Sequence, residues 1–267
     1  MNDKEEARKF IRQNYAQVAQ SGAAGGCCGG SCNYSGGDPM DVINATMTIG
    51  YDAGDLLNAP AESNMGLGCG NPLAIASLKE GEVVLDLGSG GGFDCFLARG
   101  QVGASGYVIG VDMTPEMIKL ARNNAAKSGY ANMEFRLGEI EHLPVADDSI
   151  DVIISNCVIN LSLEKEKVFK DAYRVLKNGG RLALSDVVAT ADLPEEMKND
   201  LTMVAGCIAG AEHVERIRAM MEQAGFQKIK LMPKDNSKEI LNNWLPDRKI
   251  EDYVASFIIE GEKEYKN

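Results

Sequence analysis

The chain has 267 residues, of which 45% are hydrophobic and 25% charged, the balance of a globular protein long enough to bury a core without staples. With 27 Lys and Arg against 39 Asp and Glu, its net charge of −12 excludes the basic footprint that nucleic acid or an anionic membrane surface requires. No apolar run approaches the roughly 18 residues that a bilayer span needs, and the first residues lack the order of a secretory signal, so a cytoplasmic location is expected.

Residues 3–20 repeat apolar side chains at helical spacing (Ala7, Phe10, Ile11, Tyr15, Val18). Residues 21–37 then hold seven glycines, with Cys27, Cys28 and Cys32 among them, a composition that predicts a flexible arm. Residues 38–71 read as irregular with a short helix or two. From residue 82 strands and helices alternate. Strands are expected at Val83–Leu87, Tyr107–Asp112, Met133–Leu137, Ile150–Ser155 and Arg181–Val187. Helices are expected after the 88–92 glycine turn, after Thr114-Pro115, and over Lys165–Leu176. This alternation predicts a doubly wound, mostly parallel α/β sheet. Beyond Thr190 two helices (Pro194–Ala205, Ala211–Ala224) and two late strands (Phe226–Leu231, Tyr253–Glu260) are expected. The chain is thus expected to divide into an N-terminal helix, arm and lead-in (1–71), a nucleoside-binding α/β unit (72–190) and a C-terminal part (191–267).

The turn after the first strand reads Asp86-Leu-Gly88-Ser89-Gly90-Gly-Gly92-Phe-Asp94. Glycines there let backbone approach a ligand, and ligands of open α/β sheets lie at these strand ends. Asp112, ending the next strand, suits a ribose diol. A dinucleotide fingerprint fails in either register, because Phe93 or Cys95 stands where the third glycine belongs. No P-loop lysine follows. Asp86 would repel a pyrophosphate, whereas it suits a ligand carrying an ammonium and a sulfonium.

These residues resemble the first two motifs of the Rossmann-like S-adenosylmethionine-dependent methyltransferases. The resemblance implies S-adenosyl-L-methionine as cofactor, held by Asp86, Gly88, Ser89, Gly90, Gly92 and Asp112. It further implies that Met113, Glu139 and Ile140 lie by the adenine and that Asn156 lies by the methionine part.

Seven cysteines in a reducing compartment do not make a disulfide framework, and only His142 and His213 offer imidazoles. Cys95, inside a sheet-domain helix, reads as a small buried hydrophobe. Cys69 and Cys207 have glycine neighbours that favour exposure, and Cys157 follows the fourth strand. Structural zinc wants four ligands, and beyond Cys28 and Cys32 no second tight pair exists; three scattered thiols suit a soft three-coordinate centre. Gly66-Leu-Gly-Cys69-Gly-Asn-Pro72, Ser155-Asn-Cys157-Val-Ile-Asn-Leu161 and Gly206-Cys207-Ile-Ala-Gly-Ala211 resemble the cysteine motifs of arsenite S-adenosylmethionine methyltransferases. The resemblance implies methylation of arsenite or thiol-conjugated As(III) for arsenic detoxification. Cys157 and Cys207 are its ligands, with Cys69 as third ligand or reducing partner. It also implies an upstream redox cysteine. Cys27, Cys28 and Cys32 all qualify, and Cys32 lies nearest the body. A thioredoxin-like or glutathione reductant would reset the thiols, and a monomer is the default expectation. A methyltransferase of a small organic acceptor, with His142 as its base, and a non-catalytic arsenic-binding protein remain as alternatives.

Overall fold

A computed structural model describes residues 3–21, 39–198, 200, 203–204, 206–244 and 249–265. Cys27, Cys28 and Cys32 lie outside the described residues. Seven strands form one sheet: β1 (Val83–Leu87), β2 (Tyr107–Asp112), β3 (Met133–Leu137), β4 (Ile150–Asn156), β5 (Leu176–Ala189), β6 (Gln227–Pro233) and β7 (Val254–Glu262). Their order is β3-β2-β1-β4-β5-β7-β6. β1 pairs in parallel with β2 on one side and β4 on the other. The chain therefore reverses its winding at β1, and a crevice opens above its carboxyl end.

Alternation along each strand feeds two cores, because successive side chains leave opposite faces. Val84 and Ile154 join Phe96 and Phe135 on one face, together with Cys69, Cys157 and Cys207. Leu85 and Leu87 join Phe169, Leu184 and Phe226 on the other. The helices are α1 (Asp3–Ser21), α2 (Pro39–Thr48), α3 (Ala53–Asn58), α4 (Leu73–Ala76), α5 (Phe93–Val102), α6 (Pro115–Ser128) and α7 (Lys165–Val175), followed by Glu195–Lys198, Val214–Ala224 and Ser237–Trp244. The mostly parallel doubly wound sheet is thus as expected from the alternation.

The C-terminal part departs from expectation in detail. β7 pairs antiparallel with β5 from Arg181 to Ala189, and β6 pairs antiparallel with β7. These strands complete the sheet edge and bring the C-terminal chain to the Cys69 loop, where Ser256 Oγ donates to the Cys69 carbonyl at 2.7 Å. The helix expected over 194–205 is described over Glu195–Lys198 and at 203–204. The helix Ser237–Trp244 had no clear sequence signal.

Helix α1 lies over the mouth of the crevice. It buries Ile11 and Val18 and turns Arg8 toward a cluster of carboxylates. Arg8 pairs with Glu141 and Glu164, each at 3.5 Å, and Arg12 with Glu139 at 3.5 Å. Glu141 is the buried partner among these; the more exposed pairs with Glu139 and Glu164 contribute about 0–1 kcal/mol each. No described helix is long and apolar enough to cross a membrane.

Candidate active site

The crevice above β1, β2 and β4 is lined by the glycine turn, Asp86, Asp94, Asp112, Met113, Ile140, Asn156 and Cys157, with Arg8 and Tyr15 of α1 at its mouth. Gly88 and Gly90 both take left-handed backbone, with φ of 71° and 50°. A side chain on Gly88 would strike Val158 at 2.4 Å, so glycine is required there on two counts. Gly90 donates its N–H to Asp112 Oδ2 at 3.0 Å, while Asp112 Oδ1 accepts from Thr114 at 2.8 Å. One carboxylate thus ties the turn to the start of α6 and still has acceptor capacity for a ligand. Thr114 occupies the N-cap position, but its side chain makes no capping hydrogen bond to α6.

Two carboxylates of the crevice lining, Asp86 and Asp94, are buried. Asp86 accepts from the Cys95 thiol at 3.3 Å, and Asp94 accepts from the Tyr51 hydroxyl at 2.6 Å. Burial first, then Asp94, pushes the Asp86 carboxyl well above the carboxylate range. Burial likewise raises Asp94, to about 6, against the pull of the Tyr51 hydrogen bond. Among the described residues no lysine or arginine forms an ion pair with either. Cys95 is therefore buried as expected, but it also serves as a donor to Asp86.

A cationic sulfonium nucleoside fits these observations. The two carboxylates await positive charge, and Ser89 Oγ is buried in the turn without a hydrogen-bond partner among the described residues. Not every expected cofactor contact stands in the crevice. Gly92, with φ of 94°, is absent from its lining; it starts α5, and a side chain there would meet Phe135 at 2.8 Å. Glu139 is also absent, because its side chain turns outward to Arg12. Glu141 lines the crevice instead.

Asn156 connects this crevice to the cysteines. Its Oδ1 accepts the Cys69 N–H at 3.0 Å, and its Nδ2 donates to the Gly70 carbonyl at 2.6 Å and to the Tyr51 hydroxyl at 3.0 Å. The Cys69 loop is thereby hung on the end of β4. A side chain on Gly68 (φ 120°) would overlap the Asn156 amide at 2.6 Å, which explains the glycine before the cysteine.

The glycine neighbours of Cys69 and Cys207 do not expose them; both thiols are fully buried, and Cys157 is 4% exposed. The glycines instead admit close packing by neighbouring groups. The Cys69 and Cys207 thiols nevertheless both interact with Cys157. Cys69 Sγ, Cys157 Sγ and an Asp186 carboxylate oxygen all lie within 4.8 Å of one another. Cys207 Sγ donates to the Cys157 carbonyl at 2.8 Å. Cys157 and Cys207 both hold left-handed backbone, with φ of 60° and 61°, a conformation costing about 1–2 kcal/mol for a residue with a side chain. Such strain clusters at functional sites. Burial raises the Cys157 thiol well above the thiol range, with the Cys207 and Cys69 thiols adding to the effect. At Cys207 the hydrogen bond with Cys157 pulls down, while burial and Asp186 push up and prevail.

Asn160 and Asp186 clip the two cysteine turns together. Asn160 Nδ2 reaches Asp186 Oδ1 at 3.0 Å, the Val187 carbonyl at 2.5 Å and the Cys207 carbonyl at 3.1 Å. Asp186 accepts from the backbone of Ile159 and Val187. A side chain on Gly210 would come within 2.1 Å of the Asn160 carbonyl. Asp186 carries the same signal as Asp112, an acidic residue near the carboxyl end of a strand. Tyr51, in a loop far away in sequence, carries none. His142 is exposed and stands outside the crevice lining, so it offers no base to an acceptor there.

A methyltransferase domain model matches residues 78–225. An arsenite methyltransferase of Halobacterium salinarum is 50% identical over 98% of this chain and 68% of its own length. One from Aquipseudomonas alcaligenes is 44% identical over 62% of this chain and 49% of its own length. The chain thus spans about two thirds of the first relative and about half of the second. The crystal structure of an arsenic(III) S-adenosylmethionine methyltransferase from Chlamydomonas reinhardtii superposes with a TM-score of 0.62 at 31% identity, over 85% of this chain and 75% of that one. The match extends from end to end of this chain, across the glycine turn and all three buried cysteine motifs, and on that ground the chain belongs to the arsenite methyltransferase family.

Proposed function

We propose that this chain transfers methyl groups from S-adenosyl-L-methionine to arsenite, free or thiol-conjugated, held by Cys69, Cys157 and Cys207. The observation that carries this reading is the meeting of the Cys69 and Cys157 sulfurs, with the Cys207 thiol turned to the Cys157 carbonyl, beside a crevice whose wall includes Cys157. S-adenosylmethionine supplies an electrophilic methyl group on a sulfonium. Asp86 and Asp94 provide the negative charge that its cationic end requires, and Asp112 provides ribose acceptors. Ser89 offers a free hydroxyl, and Met113 and Ile140 offer apolar walls to the adenine.

Thiolates are the natural ligands of soft As(III). Three of them leave arsenic its lone pair, which is the nucleophile, so no general base is needed. The chain's contribution is placement. Cys157 and Cys207 are pre-set by their backbone, Cys69 is hung from Asn156, and burial excludes water. Transfer leaves arsenic formally As(V). Two thiols then return two electrons to it, lose their protons and join as a disulfide, with Cys69 and Cys32 as the pair. A thioredoxin-like or glutathione reductant resets that disulfide. A reducing cytoplasm suits this chemistry, and the chain acts as a monomer. Residues 72–190 bind the nucleoside, residues 1–71 cover it and bring the redox cysteine, and residues 191–267 close the metalloid site. Reduced chain incubated with S-adenosylmethionine and arsenite is expected to yield methylated arsenic by mass-resolved chromatography; none formed would contradict the reading.

A further inference from the structure

The cysteine spacing argues against zinc because it offers no fourth ligand. The fold supplies an oxygen donor beside two of the sulfurs. Asp186 sits near the carboxyl end of β5, 2% exposed, with a carboxylate oxygen within 4.8 Å of both Cys69 Sγ and Cys157 Sγ. Oδ1 already accepts from Val187 and Asn160, at 2.7 and 3.0 Å. Oδ2 accepts only from Ile159 among the described residues, at 2.8 Å. A carboxylate oxygen has two lone pairs, so Oδ2 keeps one for a ligand. The Cys207 thiol stands outside this three-donor group and donates instead to the Cys157 carbonyl at 2.8 Å.

The donor set matters because of what each guest demands. As(III) takes three thiolates and keeps its lone pair. Zinc and cadmium have no such lone pair, and zinc fills a tetrahedron of sulfur, nitrogen or oxygen donors. Two sulfurs and one carboxylate oxygen fill three of its four places, and water fills the fourth. The carboxylate adds little to a soft metalloid but is a fitting third donor for a borderline divalent cation.

We propose that Cys69, Cys157 and Asp186 form a three-donor site, completed by water, for a borderline-soft divalent cation of the zinc and cadmium class, and that this cation competes with arsenite. Cation binding stands on the donor geometry alone, whereas competition rests on the arsenite reading above. A bound cation presents no lone pair to a methyl donor, so it blocks transfer without occupying the nucleoside crevice.

The test uses the full chain with Cys27→Ser, Cys28→Ser and Cys32→Ser, which removes the arm thiols as rival ligands. Reduced protein is titrated with Co2+ alone. One equivalent is expected to give intense sulfur-to-cobalt charge transfer and the strong d–d absorption of a four-coordinate ion, and one equivalent of Zn2+ is expected to bleach both. Cys69→Ser is expected to lower the charge-transfer intensity by about half, because one of two thiolates is lost, and Cys207→Ser is expected to leave it unchanged. Asp186→Asn is expected to weaken cobalt at least about tenfold, the least that losing a donor costs, while As(III) affinity changes much less. S-adenosylhomocysteine binding verifies that each variant is folded. No absorption at one equivalent, the weak bands of a six-coordinate ion, or unchanged cobalt affinity in Asp186→Asn would overturn the site. In the unsubstituted chain Zn2+ is expected to raise the KM for arsenite and leave that for S-adenosylmethionine unchanged. Saturating Zn2+ without effect on methylation would overturn the competition. A chain that binds cobalt as described but never methylates arsenite would overturn the arsenite reading and leave the cation site standing.

Discussion

The Cys207 thiol donates to the carbonyl of Cys157 across 2.8 Å, and both residues adopt left-handed backbone. Two cysteines 50 positions apart are therefore joined before any metalloid arrives. The site is pre-organised by strain that each cysteine bears, and this has consequences for substitution. Cys157→Ser and Cys207→Ser should each abolish methylation of arsenite and of monomethylarsenite. Cys207→Gly should be more stable than Cys207→Ala by about 1 kcal/mol, because glycine relieves the backbone cost. Denaturant unfolding of the pair checks this; equal stability would show that the backbone at 207 is unstrained.

Asn160 holds Cys207 and β5 through one amide. Asn160→Ala should cost about 1–3 kcal/mol of stability, the range for orphaned buried partners. It should also loosen As(III) binding while S-adenosylhomocysteine binding is retained. Equal As(III) affinity in wild type and variant would remove Asn160 from the positioning of the cysteines.

Asp94 titrates near 6, so cofactor affinity should depend on pH. Its folded pKa lies above the ordinary carboxylate value, so the folded chain holds this proton more tightly than the unfolded chain. At this residue stability therefore rises as the pH falls from about 6 toward the ordinary value, while the negative charge awaiting the cofactor is lost. Affinity for S-adenosylmethionine should fall as the pH drops through about 6. Tyr51→Phe removes a hydrogen bond that favours the charged form, so the midpoint should move up by about half a unit or more. Calorimetric titration across this range checks both statements; a midpoint unmoved in Tyr51→Phe would dismiss the role of the hydroxyl.

Cys69→Ser and Cys32→Ser should slow the first methylation more than the second, since the first requires arsenic to be reduced again before the next transfer. Time courses started separately from arsenite and from monomethylarsenite check the split. Equal losses in both would count against the redox pair.

The sheet was legible because β1, β2 and β4 are short apolar runs ended by glycine or acidic residues, and the glycine turn and Asp112 follow from the same pattern. The cofactor end was legible only in part. Asp94 stands within the recognised turn, yet its importance depends on Tyr51, which folding brings from 43 residues away. Cys69 and Cys207 were placed correctly in the chain but not in depth. Flanking glycines suggest exposure when read locally, whereas here Gly68 and Gly210 make room for Asn156 and Asn160. Asp186 carries the strand-end signal of Asp112, but its place beside the sulfurs appears only when β4, β5 and the Cys69 loop meet.

The central claim is that these buried sulfurs grip arsenic together. Arsenic K-edge X-ray absorption on the chain lacking arm thiols, loaded with one equivalent of arsenite, tests it most directly. Three sulfur neighbours are expected, falling to two in Cys157→Ser. An oxygen-only shell, or three sulfurs that persist when Cys157 is replaced, would contradict it.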